Sequence, residues 1–156
     1  MMKQEHINPF IEATVSTFET MCNISISRDG NLRLRQGIFP TYDLVGIIGL
    51  SGLIKGAIIL AMPPETGFKI IGAFVGTPFD TINTEFMDAY GEILNIIAGS
   101  AAGKLENFRI KISLPTVLLG KDQKINSKGD IPWIVIPLKT SENDKLCLEV
   151  SMQPSS

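Results

Sequence analysis

The sequence predicts an α+β domain in which a mainly antiparallel sheet carries its helices on one face. Two observations lead there. Helical and strand periodicities follow one another in the order helix, strands, helix, helix, strands, which suits segregated helices better than alternating βαβ units. The strand-like runs are also joined by tight connections such as Ser51-Gly52, which are long enough for hairpins but too short for parallel crossovers. With 156 residues, 44% of them apolar and 19% charged, residues 1–156 can bury one core of ordinary size and read as a single domain.

The first element is a helix over Asn8–Cys22, where Phe10, Ile11, Val15, Phe18 and Met21 recur at helical spacing and Pro9 suits a first turn. Asn23–Arg28 and Leu32–Gln36 flank the turn Asp29-Gly30-Asn31 and read as a hairpin. Two β-rich runs follow, Asp43–Leu50 and Leu53–Met62. Pro63-Pro64-Glu65-Thr66 opens a second helix reaching Phe74, because proline suits a helix start and not its interior. A third helix spans Thr81–Leu105. Beyond it, Phe108–Leu114 alternates as a strand, Gly120–Asp130 is a polar loop, and Trp133–Leu138 and Leu146–Met152 close the sheet around the turn Thr140–Asp144. An offset of 76 places Phe10-Ile11-Glu12-Ala13 on Phe86-Met87-Asp88-Ala89, so two duplicated halves are a further expectation.

Composition removes several function classes. A formal net charge of −2, without a long Lys/Arg run, lacks the basic footprint of a nucleic-acid binder. The opening MMKQEHINPF has no apolar leader core, and glycines and Lys55 interrupt the greasiest stretches before a span of ~18 residues. A cytoplasmic protein without a membrane span is therefore expected. Cys22 and Cys147 lie far apart and read as reduced core thiols. His6 is the single histidine, which leaves no imidazole-based triad in the body of the chain and no zinc spacing.

The third helix carries the strongest functional signal. Phe86, Met87, Tyr90, Ile93, Leu94, Ile97, Ala101 and Leu105 cluster on one side at 100° per residue. Asp88, Glu92, Asn95, Gly99 and Gly103 point the opposite way, with Gly91, Ala98 and Ala102 on the margin. An ordinary solvated face is one reading, with Gly99 and Gly103 packing a neighbouring helix. Against it, helix-interior glycines cost ~1 kcal/mol each relative to alanine, and an acid and an amide three residues apart address one spot. A carboxylate can grip a cation, and a carboxamide can hold a water in one orientation.

The pattern Asp88-x-x-x-Glu92-x-x-Asn95 with a downstream Pro115 resembles the signature of the CheC/CheX/FliY family of chemotaxis phosphatases. So do the opening Ile7-Asn8-Pro9-Phe10-Ile11-Glu12-Ala13, Gly56-Ala57 in a central strand, and Ala98-Gly99 after Asn95. The single motif is nearest to the CheX-like members, since Ser16 and Glu19 stand where a second copy would need Glu and Asn. Pro115 follows Asn95 slightly sooner than in the family pattern. The resemblance implies a CheC-like fold with a six-stranded sheet and pseudo-duplicated halves. It also implies a phosphatase acting on the aspartyl phosphate of a CheY-like response regulator, in which Asn95 orients the attacking water and Glu92 pairs with the receiver's lysine. Asp88, Gly91 and Gly99 would border the partner. No metal belongs to the chain itself, the Mg²⁺ arriving with the receiver, and a homodimer is implied. A non-catalytic receiver-binding adaptor of the same fold is the alternative.

Overall fold

This computed structural model describes residues 4–126 and 131–155. The first half of the chain forms α1 (Gln4–Cys22), β1 (Ile26–Arg28), β2 (Arg33–Arg35), β3 (Ile38–Pro40), β4 (Leu44–Ser51), β5 (Ile54–Met62) and α2 (Pro64–Val75). The second half forms α3 (Thr84–Gly103), a single 3₁₀ turn (Glu106–Phe108), β6 (Lys111–Ile112), β7 (Thr116–Leu119), β8 (Lys124–Asn126), β9 (Trp133–Thr140) and β10 (Lys145–Pro154). Burial of Ile7, and the edge-on packing of His6 against Phe108 at 5.0 Å, extend α1 back past its expected start. Pro9 therefore sits inside the helix, where its missing N–H removes one i→i−4 hydrogen bond.

The main sheet runs β1-β9-β10-β5-β4-β6, with β2 also on β9 and β7 also on β4. Every pairing in it is antiparallel. It thus holds eight strands, not the expected six, because two short strands share each edge position. The expected hairpin Asn23–Gln36 is corrected in the same way: β1 and β2 lie one after the other along β9. The expected strand Phe108–Leu114 also changes. Phe108 belongs to the 3₁₀ turn, Arg109 is left-handed at φ 50°, and pairing begins only at Lys111.

All three helices pack on one face, where Phe10, Ile70, Phe86 and Ile93 meet Ile48, Leu60, Leu148 and Val150. A second cluster of Val45, Ile59, Ala61, Val135 and Cys147 lies on the opposite face. There β3 and β8 form a separate two-stranded ribbon, and β8 contributes Ile125 to the cluster. Cover on both sides explains why Ile58–Met62 is buried at every position and does not alternate. The ribbon was invisible to periodicity because each strand has three residues, and β8 falls within the expected polar loop Gly120–Asp130. Residues 127–130 of that loop lie outside the described residues.

Candidate functional site

Position on the sheet decides which face of α3 is free. Asn83 Oδ1 accepts the Phe86 amide at 2.9 Å, so the helix starts at Thr84 and not at Thr81. Phe86, Tyr90, Ile93, Leu94, Ile97 and Ala101 are buried as the spacing predicts. The Tyr90 hydroxyl donates to the Leu60 carbonyl at 2.7 Å and ties the helix to a central strand. Gly46 makes this possible, since a Cβ there would lie 2.8 Å from Tyr90 Cε1.

The opposite face carries the predicted residues into one place. Asp88, Gly91, Glu92 and Asn95 line one side of an open depression of about 380 Å³, and Leu114 and Pro115 line the other. Asp88 and Glu92 are exposed and Asn95 is half-buried. Among the described residues none of these three side chains makes a hydrogen bond or ion pair. Gly99 is exposed but lies outside the depression; a Cβ there would meet only Ile112 Cδ1, at 4.0 Å. Gly91 is buried, and its missing Cβ would lie 3.1 Å from Pro115 Cγ.

The wall formed by Leu114 and Pro115 comes from a slip in strand register. Leu50 faces Ile112 on β6, whereas Ile47 faces Thr116 on β7. The Ser113 amide donates to the Gly49 carbonyl at 2.9 Å, so Leu114 and Pro115 together stand opposite Ile48 alone. This is a β-bulge, the device that re-aims side chains at sheet edges. Ser113 Oγ locks it by accepting the Gly49 amide at 2.8 Å and donating to the Leu114 carbonyl at 2.9 Å. Pro115, which has no N–H to offer the ladder, turns its ring onto Gly91, and Leu114 is left 88% exposed. Only the triplet Ser113-Leu114-Pro115 hints at the bulge in the sequence.

This depression contains no Ser, Cys, Thr or Lys nucleophile paired with a base. Its chemistry is that of a carboxylate able to hold a cation and a carboxamide able to orient a small polar molecule. A larger depression of about 800 Å³ lies across the sheet, bordered by Arg33, Arg35, Tyr42 and Lys145. Two of its cations are engaged in structure: Lys145 holds Asp29 at 2.7 Å, and Arg35 lies over the Phe39 ring at 5.1 Å and donates to the Pro40 carbonyl. Both cysteines are free and buried. Burial pushes the Cys22 thiol up to about 11 and raises Cys147 further, with the Glu149 carboxylate adding to the rise. Neither thiol forms a thiolate near neutral pH. Among the described residues no helix is long and apolar enough to cross a membrane.

Three helices on one face of an antiparallel sheet match the architecture of the CheC-like class. The structure aligns with a CheC-like superfamily protein from Shewanella sp. PV-4 at a TM-score of 0.87 and 25% identity, covering 97% of this chain and 99% of the other. It aligns with the CheX of the CheX-CheY-BeF3-Mg+2 complex from Borrelia burgdorferi at a TM-score of 0.79 and 23% identity, covering 97% and 99%. The family model described as chemotaxis phosphatase CheX matches residues 44–139. The CheY-P phosphatase CheX of Thermotoga maritima is 35% identical over 147 residues, which span 92% of this chain and 94% of that protein. The chain belongs to the CheX family.

Proposed function

We propose that this protein is a phosphatase that accelerates hydrolysis of the aspartyl phosphate on a CheY-type receiver. Family membership and the named activity of the Thermotoga relative support the reaction class. The CheX-CheY complex of Borrelia supports the partner class. The observation that carries the mechanism is the pair Glu92 and Asn95, unpartnered and side by side on a rigid helix that borders an open depression.

In this reading the receiver supplies the phosphoryl group, its Mg²⁺ and a lysine. Glu92, exposed and free of other partners, pairs with that lysine and sets the docking. Asn95 enters beside the phosphoryl group and holds a water in line, its amide donating and accepting at once. Positioning of this kind supplies rate without a general base, because the water's freedom is lost on binding and not at the reaction step. Asp88 borders the partner at the rim. Gly91 acts by seating Pro115, and Gly99 leaves clearance along the helix. The open edge at β1 and β2, where Leu34 is 71% exposed, offers a route to a homodimer by strand pairing.

The test is phosphate release from CheY-type receivers charged with acetyl phosphate. Asn95→Ala is expected to keep the fold and receiver binding but to lose roughly a hundredfold in kcat, the scale of a lost positioning group. Glu92→Lys is expected to raise KM by placing a cation against the receiver's lysine. Full activity in a folded Asn95→Ala protein would sink the mechanism, whereas wild type that leaves the phosphate lifetime of every receiver unchanged would favour the adaptor reading.

A further inference from the structure

A leucine on the surface of a folded domain usually lays part of its side chain against a neighbour. Leu114 does not: it is 88% exposed, the most exposed large apolar side chain among the described residues. Its backbone is nevertheless held from several directions. The Ser113 amide and hydroxyl are both bonded to Gly49, the hydroxyl also bonds the Leu114 carbonyl, and Pro115 rests on Gly91. Leucine therefore projects from a fixed stage, at little conformational cost on binding. It also shares one depression with Glu92 and Asn95, so whatever those residues dock must meet it.

We propose that Leu114 is an apolar anchor for the phosphorylated receiver, filling a hollow that borders the receiver's phosphorylation site. The proposal rests on the receiver-directed reading above and deepens it. Polar contacts alone leave an interface open to water, whereas a buried apolar side chain beside them excludes it and strengthens the neighbouring charge pair. Glu92 and Leu114 divide the work of docking: the carboxylate sets the register against a lysine, and the leucine supplies contact area. Asn95 is then free to act on the water alone. The bulge has a purpose in this arrangement, since a continuous β6–β7 strand could not place both Leu114 and Pro115 opposite Ile48.

The experiment compares wild type, Leu114→Ala, Leu114→Asp and Leu114→Met in kcat and KM on acetyl-phosphate-charged CheY-type receivers. Asn95→Ala serves as the control, and melting temperature and sedimentation are measured for each protein. Leu114→Ala should raise KM roughly tenfold with kcat at saturation nearly unchanged, as expected for loss of one apolar contact. Leu114→Asp should raise KM further, and Leu114→Met should restore it, with all melting temperatures unchanged. An unchanged KM in the Ala and Asp variants, with the kcat of Asn95→Ala still strongly reduced, overturns the anchor and leaves the phosphatase reading standing. Wild type that is inert on every receiver overturns both. A lowered melting temperature or altered sedimentation in place of a KM effect assigns Leu114 to folding or self-association and also overturns the proposal.

Discussion

At the scale of single residues, the two glycines on the α3 face behave differently although the sequence presents them alike. Gly91 is there because Pro115 Cγ would crowd its Cβ, at 3.1 Å, whereas a Cβ at Gly99 would make only an ordinary contact with Ile112 Cδ1, at 4.0 Å. Gly91→Ala is expected to push the bulge outward, lowering stability by about 1 kcal/mol and reducing activity as Leu114 and Pro115 shift. Gly99→Leu should leave the melting temperature unchanged and still impair activity by obstructing the partner. Thermal melts and phosphate-release rates on both variants separate these outcomes. A Gly91→Ala protein with normal stability and rate would show that the bulge needs no support from the helix.

The elements owe their accuracy to how long they are. Helix α3 has 20 residues, and its buried stripe emerged from spacing alone. The three-residue strands β3 and β8 did not, because so few positions carry no period. The strand expected at Phe108–Leu114 failed for another reason: alternation cannot report that one neighbour, β4, pairs with two offset segments. Helix and sheet meet at Tyr90, whose ring lies against Gly46 and whose hydroxyl reaches the Leu60 carbonyl. Gly46→Ala should therefore destabilise the protein by about 2 kcal/mol through overpacking, and Tyr90→Phe by about 1 kcal/mol through the lost hydrogen bond. Denaturant unfolding of both variants is the check, and a neutral Gly46→Ala would mean that the helix can ride higher on the sheet.

Across the whole molecule, the strand pairings have an order that no single element shows. Exchanging α1 and β1–β5 with α3 and β6–β10 maps each pairing onto another or onto itself. Buried Phe10, Thr14, Thr17, Phe18 and Cys22 likewise fall on buried Phe86, Tyr90, Ile93, Leu94 and Ala98 at the offset of 76. These correspondences are what the expectation of duplicated halves would produce. On the first half the motif positions hold Glu12, Ser16 and Glu19, and Glu12 is paired with Lys104 at 3.2 Å.

Stacking a ribbon over the sheet also has a consequence for pH. Glu149 on β10 is fully buried and its Oε1 has no hydrogen-bond partner among the described residues. Burial raises its pKa above the 4.5 of a free glutamate, against the lowering influence of Arg35 and Arg33. The folded state thus holds this proton more tightly than the unfolded chain does. The associated stability is complete below pH 4.5 and is lost as pH rises through the raised value. Glu149→Gln removes the titration, so its melting temperature should gain on wild type as pH rises across that window. A difference that does not vary with pH would contradict the assignment.

What the sequence determined by itself was local: the long helices, the paired β runs, and the line Asp88, Glu92, Asn95 opposite an apolar stripe. These follow from periods of 3.6 and 2, which neighbouring residues carry among themselves. Family likeness added the proposed chemistry of that line, and the structure brought all three side chains to one depression. The far wall of the depression, the burial of Gly91 under Pro115, the exposure of Leu114 and the enclosure of Glu149 were decided only by tertiary structure. Each depends on which residue of a distant strand stands opposite, and a one-residue slip in that register changes the face a side chain takes without leaving a mark on local periodicity.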